Sequence, residues 1–551
     1  MISTKVFGRI RLDVPESTDH AEVLLPGGGT ENALIFKHND ADFTYDRHGY
    51  ETVTLRGNAR KQIAFTPVVA GKHVLRAYEG EKLLAETEFD AEASGLHGFV
   101  EVSKKDPRYF VFSDGSPYVA IGLNVIGAGY DRLPAGGEFE LSEETATMGM
   151  MRFKRWFKEM KAVGANYARI WLSGNYTEAR TGIMGVHDPV ALARFDALIE
   201  LAREYGIYLK LCFEHWRTFS KVGHFTYRYY IDPETGKQFK DENEWFNSPK
   251  WNARWLKDIE PYVARCQNDP VVFAWELWNE IDCGVGSFDS VYGFTQRMLR
   301  EVKLRSPKNL VVNSLGSLDE DYKQERQDAF RDMPEMDFQQ AHRYLDQGAP
   351  LEICRTDPIE FSIDAVNRVR REDKPVILTE TGAVNDRHVG AFRFYGADHD
   401  GLIFHDVTYP AFFAGAAGCG HIWHTNLYVE PNNLWRHYRP LVNALSGVRP
   451  DEEGFAYGVV ENDNAWILTM NGRCHTLALI RNKADRWDKV LLNMMDPAPV
   501  QSLLFKSKAE KAEAFWLMDE APGDLEVSEE GIRLPDFVHG CVLKIKNKGL
   551  D

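Results

Sequence analysis

The chain has 551 residues and no apolar run that approaches the roughly eighteen needed for a membrane-spanning helix. Its first residues, MISTKVFGRIRLDVPES, lack the apolar stretch of a secretory signal. Cations are in deficit: 65 Lys and Arg stand against 82 Asp and Glu, a formal net charge of -17. Nucleic-acid affinity comes mainly from Lys and Arg neutralising phosphates, so no nucleic-acid partner is expected, and no membrane partner either. Cysteine is scarce and scattered. Cys212, Cys266, Cys283, Cys354, Cys419, Cys474 and Cys541 form no CxxC pair. They read as reduced thiols, not as a disulfide frame or a metal site, which with the missing signal favours the cytoplasm. A periplasmic or secreted location stays open if a leader was removed before Met1. Internal repeats and low-complexity segments are also missing.

Aromatic residues are plentiful, at 12% of the chain; such an excess serves stacking surfaces or large cores. The length suggests about three units. From Lys5 to about Ala93 short alternating runs are broken by turns. In HVLRAYEGEKLLAETEFD, Leu83, Ala85, Thr87 and Phe89 share one face and a turn falls near Gly80. A small β-sandwich over residues 1–100 is expected, with a further hairpin at Asp114-Gly115. From about Tyr118 the text changes to apolar runs separated by helical stretches: YVAIGLNVI, GANYARIWLSG, GIYLKLCFEHW, VVFAWELWNEID, NLVVNSLG, MDFQQAHRYL, KPVILTETG and AAGCGHIWHTN. Eight such runs predict an α/β fold, a (β/α)8 TIM barrel over residues 101–445, with its site at the C-terminal strand ends. Asp188-Pro189 marks one helix start. Long connections at 128–150, 214–250 and 383–408 would wall the barrel mouth. Alternation returns in AWILTMNGRCHTLALIRN, with an Asn471-Gly472 turn, and in HGCVLKIKN, so a C-terminal β-sandwich domain is expected over 446–551.

Two of the eight runs end in acids. In VVFAWELWNE, period two groups Ala274, Glu276, Trp278 and Glu280 on one face and Phe273, Trp275, Leu277 and Asn279 on the other. In VILTE it groups Val376, Leu378 and Glu380. Facing carboxyl groups suit glycoside hydrolysis, in which one protonates the departing oxygen and the other attacks or stabilises the sugar carbon. Burial and mutual repulsion would keep one of them protonated near neutrality.

WELWNEID on the fourth run and ILTETG on the seventh resemble clan A of the glycoside hydrolases, the retaining (β/α)8 enzymes that include family 5. The resemblance extends over roughly residues 105–440, and the N-terminal region is similar to the accessory domain of mannanase-like and cellulase-like bacterial members. It implies that Glu280 is the acid/base, Glu380 the nucleophile and Asn279 a ligand of the sugar 2-hydroxyl. It also implies that Arg169 in NYARIW keeps the nucleophile ionised, that Tyr344 in His342-x-Tyr344 bonds the nucleophile, and that Trp423 is a platform under the sugar. Glu214 and His215 in CFEHW stand where related enzymes carry sugar contacts. Glu276 reads as a buried structural acid paired with Lys210 or Arg169. His224, Tyr227 and Tyr229 are rim candidates, whereas the spacing of Trp251 and Trp255 favours helix packing.

The resemblance therefore implies an O-glycosyl hydrolase that retains configuration and acts on β-linked hexose glycans or oligosaccharides, with mannosidic or glucosidic links favoured. Its partner would be a carbohydrate, and the chemistry requires no metal or organic cofactor. The alternatives are a β-galactosidase-type exo-glycosidase of the same clan, a transglycosylase, and a non-catalytic carbohydrate-binding barrel. Long mouth connections would favour removal of terminal sugars. An accessory sandwich beside a barrel also offers a surface for assembly into a homo-oligomer.

Overall fold

The computed structural model describes residues 2–548 apart from 48–49, 126–148, 174–175, 182–184, 216–233, 238–239, 285, 389, 519–520 and 522. Most of the first two long connections, with His224, Tyr227 and Tyr229, lies outside the described residues. Seven of the eight apolar runs contain a strand, here β1 (Gly122–Asn124), β2 (Tyr167–Trp171), β3 (Tyr208–His215), β4 (Val272–Asn279), β5 (Leu310–Val312), β6 (Gln339–His342) and β7 (Val376–Glu380). Strands β1 to β5 form one parallel sheet in chain order, and β6 pairs in parallel with β7. Backbone bonds from Asp337 to Val311 and from Leu318 to His342 connect β5 to β6.

The eighth run closes the cylinder without a regular strand. Cys419 N–H donates to the Ala120 carbonyl, Asn124 N–H to Ile422, and His421 N–H to Leu378, so residues 417–423 are stitched to β1 on one side and β7 on the other. Outside lie α1 (Gly149–Ala162), α2 (Pro189–Tyr205), α3 (Pro249–Arg265), α4 (Phe288–Arg305), α5 (Gln324–Arg331), α6 (Pro358–Val369) and α7 (Leu402–Phe413). This is the (β/α)8 barrel.

Local chemistry fixes the helix ends. Asp188 accepts from Val190 N–H at 2.9 Å, Pro189 opens α2, and Gly206 at φ 69° ends it in the left-handed region that only glycine enters without strain. The apolar face of α1 buries Phe153, Trp156, Phe157 and Met160. Trp251 and Trp255 of α3 are buried in helix packing as the spacing predicts, Trp255 edge-on to Phe213 of β3 at 6.0 Å.

Before the barrel, a five-stranded sheet (Ile2–Lys5, His20–Leu24, Thr30–Ala33, Gly71–Glu79, Lys82–Glu92) faces a three-stranded one (Ile10–Asp13, Ile35–Tyr45, Glu51–Phe65). Leu12, Ile63 and Phe65 of the smaller sheet share an apolar cluster with Val23, Leu75 and Phe89 of the larger. The turn falls at Gly80, φ 56°, as expected. Leu83 does not share the inner face: a bulge sets Tyr78 against Leu83 and Ala77 against Ala85, leaving Leu83 exposed.

After the barrel comes a six-stranded sheet containing Ala465–Asn471, His475–Asn482, Ala509–Trp516 and Gly540–Asn547. One face, with Leu468, Met470, Leu477 and Leu479, belongs to the same apolar cluster as the barrel core. The other face, with Ile467, Ala478, Ile480 and Leu543, packs on Phe505 and Ile532 of a three-stranded sheet. Among the described residues no helix is long and apolar enough to cross a membrane.

Candidate active site

At the C-terminal ends of the strands a cavity of about 580 Å³ is lined by Asn279, Glu280, Tyr344, Glu380, Trp171 and Trp423, among others. Its floor is held by one guanidinium. Arg169 of β2 is fully buried, and its Nε and Nη2 donate to the two oxygens of Glu276 at 2.7 and 3.0 Å. The same group donates to Glu380, to the Asn279 side-chain oxygen, and to Asn124 at 3.2 Å. Four acceptors on three other strands thus share a single planar, rigid donor.

Glu276 also faces Lys210 at 3.3 Å. Burial disfavours its charge, but Arg169 and Lys210 outweigh burial and hold the carboxyl well below the usual range. Lys210 is itself lowered to about 8, chiefly by burial and against the pull of Glu276. The expected structural acid is therefore paired with both of the bases named for it.

Strict alternation fails at the end of β4. Trp278 does not share a face with Glu276: it packs outward against Trp245, Phe246 and Phe294. Asn279 turns inward to Arg169 instead. Glu280 then adopts φ 51°, a left-handed conformation costly for a residue with a side chain, and its N–H donates to the Ser314 hydroxyl at 3.0 Å. That twist brings Asn279 and Glu280 together into the cavity.

The two acids the strand ends single out are brought close. One oxygen of Glu280 and one of Glu380 lie within 4.8 Å of each other, with His342 between them. His342 Nδ1 is 3.0 Å from Glu280 and 3.4 Å from Glu380. Burial lowers His342 to about 4, so the ring is neutral near pH 7. Burial, reinforced by the Asp282 charge, raises Glu280 to about 7. Glu380 accepts the Tyr344 hydroxyl at 2.7 Å and the Arg169 guanidinium, and burial keeps the Tyr344 phenol protonated. The Glu280, His342, Glu380 group has three donor atoms within metal-ligand reach. The Arg169 cation bonded to Glu380 disfavours a second cation there.

Trp423 lines the cavity beside Trp171, ring centres 4.7 Å apart. His215 is placed behind this wall: it stacks on Trp171 at 4.9 Å and bonds the Ser173 hydroxyl at 2.6 Å. Glu214 is not at the cavity. Its side chain is buried against Arg180 and the Trp255 indole N–H, 3.0 Å away, because the β3 end turns it to the helix layer. Other lining residues were not foreseen: Trp171, Asp319, Lys323, Asp346, His388 and His424. Trp171 ends the second run, so its strand-end position was a usable signal. His424 follows Trp423 at the end of the eighth run and carried the same signal; Asp319, Lys323, Asp346 and His388 arrive beyond the runs, on connections whose course no local periodicity encodes.

Residues 137–399 match the family model for cellulase, glycosyl hydrolase family 5. A mannan endo-1,4-beta-mannosidase F of Aspergillus clavatus is 28% identical over 167 residues, 28% of this chain and 36% of that protein. A mannan endo-1,4-beta-mannosidase 4 of Oryza sativa is 26% identical over 171 residues, 29% of this chain and 36% of that protein. The chain spans about a third of the length of these curated relatives, and as little as 24% of another. A solved structure from Bacteroides vulgatus, titled a "putative glycoside hydrolase", covers 99% of this chain and 100% of its own at TM-score 0.58 and 15% identity, a likeness of fold. Barrel, strand-end acids and matched region agree: residues 137–399 of this chain are similar to a glycoside hydrolase family 5 domain.

Proposed function

We propose that the chain is a retaining β-glycoside hydrolase acting by double displacement. The observation that carries this reading is the pair of carboxyl groups less than 4.8 Å apart at their nearest oxygens, in unlike surroundings. Retaining enzymes hold their acids about 5–5.5 Å apart, and inverting ones about 6.5–9.5 Å to admit a water. In the first step protonated Glu280 gives its proton to the glycosidic oxygen. The bond from that oxygen to the anomeric carbon breaks as Glu380 attacks the carbon, forming a glycosyl ester. In the second step Glu280, now a base, takes a proton from water; the water oxygen attacks the anomeric carbon and Glu380 leaves. Arg169 and Tyr344 hold the Glu380 carboxylate in place for attack. Asn279 is the ligand of the 2-hydroxyl, and Trp423 with Trp171 the platform of the sugar ring.

β-Mannosidic links are the favoured substrates, supported by the mannan-directed names of the relatives. The flanking sheets are read as accessory β-sandwich domains, with units at 1–100, 101–445 and 446–551. A panel of aryl β-glycosides and β-glycans, with the product anomer followed by NMR, tests the reaction. Glu380→Gly should be nearly inactive yet yield a glycosyl azide of inverted configuration when azide is supplied. Net inversion by the wild type, or no azide adduct, would sink the nucleophile assignment.

A further inference from the structure

The hairpin of Ile35–Tyr45 and Glu51–Phe65 runs along α2 and α3 and ends at the barrel mouth. Glu51 opens its returning strand, with its side chain only 3% exposed. Its Oε2 accepts the Tyr45 hydroxyl at 2.6 Å and the Met150 backbone N–H at 2.9 Å. Its Oε1 accepts Arg194 Nε at 3.1 Å and the Tyr176 hydroxyl. The Tyr45 hydroxyl accepts Met151 N–H at 3.1 Å.

Met150 and Met151 lie in the first turn of α1, where backbone N–H groups have no partner within the helix and negative charge is favoured. An acid from the N-terminal sheets therefore caps a barrel helix. The space is made for it: Gly149 stands at φ +71°, and a Cβ there would lie 2.4 Å from Glu51 Oε2. Only glycine fits. On the other side, the Arg194 guanidinium lies 4.6 Å from the centre of the Tyr176 ring, fixing the tyrosine that Glu51 holds.

Tyr176 sits in the connection that leaves β2, three positions beyond Ser173. Ser173 bonds His215, and His215 stacks on the cavity-lining Trp171. We infer that Glu51 is a positioning residue: through Tyr176 and the Ser173 to His215 contact, the N-terminal hairpin sets the aromatic wall on which the sugar is held. Its kinetic consequence rests on the hydrolase reading above, whereas its structural consequence does not.

The test uses the full chain with Glu51→Ala, Glu51→Gln and Tyr176→Phe. Hydrogen exchange should quicken at least tenfold in Glu51→Ala over residues 149–157 and 167–173, with residues 475–482 unchanged. On the best glycoside of the panel KM should rise about tenfold while kcat stays within threefold and the alkaline limb of the pH profile does not move. Glu51→Gln, which keeps the shape and one acceptor oxygen, should recover part of the loss, and Tyr176→Phe should reproduce it in smaller measure. Unchanged local exchange, acceleration throughout the chain, or a fall in kcat at constant KM would each overturn the inference. If the wild type turns over no glycoside, the hydrolase reading fails while the exchange experiment still decides the role of Glu51.

Discussion

Two glutamates one helical turn's distance apart in the text, Glu276 and Glu280, have opposite energetics. Glu276 is fully buried and paired with two bases, and removing one partner of such a network leaves charge uncompensated. Glu276→Gln should cost about 3–5 kcal/mol of stability, read from the denaturant midpoint. Glu280→Gln should leave that midpoint at or above the wild-type value, since it removes a desolvated acid, while hydrolysis of poor leaving groups falls by about 10²–10⁴-fold. Equal losses of stability would contradict the assignment. On the proposed mechanism the proton donor must be protonated to act, so activity should fall as pH rises through the Glu280 value of about 7. Replacing Asp282 by Asn removes a charge that supports this value and leaves Arg326 nearby. The alkaline limb of kcat/KM should then move to lower pH. A limb that stays in place would mean that another group sets it; His342, lowered to about 4, is not that group.

At the scale of elements, parallel barrel strands are legible because both faces are covered, so each reads as an apolar run between turn signals. The helix start at Asp188-Pro189 is equally local: Asp188→Ala should cost about 1 kcal/mol, seen as a shift of the unfolding midpoint without loss of turnover. What escapes local reading is the strand end. Period two predicts Trp278 inside and Asn279 outside, but the left-handed turn at Glu280 and the apolar pocket of Phe246 and Phe294 reverse them. The surroundings of Glu214 escape local reading for a related reason. Its partner Arg180 comes from a connection, and nothing near CFEHW in the text announces an arginine from 34 residues away. Arg169 was legible through the resemblance of NYARIW to the clan pattern, and an arginine inside an apolar strand is consistent with acidic partners.

Across the molecule the sheets before and after the barrel are attached by different physics. The C-terminal sheet contributes Leu468, Met470 and Leu477 to the barrel cluster itself, whereas the N-terminal sheets keep their own core and meet the barrel through a small apolar cluster of Phe36, Ala64 and Ala264 flanked by buried charge. Asp196 of α2 accepts Arg11 at 2.7 Å and lies 3.0 Å from His38, with Arg265 of α3 at 3.3 Å. Calorimetry should show the C-terminal unit melting with the barrel. Asp196→Ala, which removes the acid shared by Arg11 and Arg265, should cost about 3–5 kcal/mol at the N-terminal junction. Exchange protection should fall there first, and an effect spread evenly over all three units would speak against a charge-held junction.

The seam at residues 417–423 has a consequence in time. Asn124 bonds the His421 carbonyl across 297 positions of chain, and the same short segment carries Trp423 into the cavity. Contacts of such separation form late. During synthesis every other stave of the cylinder leaves the ribosome before the one that closes it, and the proposed sugar platform, Trp423, is delivered by that last stave. A nascent chain stopped short of residue 417 would hold both acids but lack the segment that closes the barrel and brings Trp423 to the cavity.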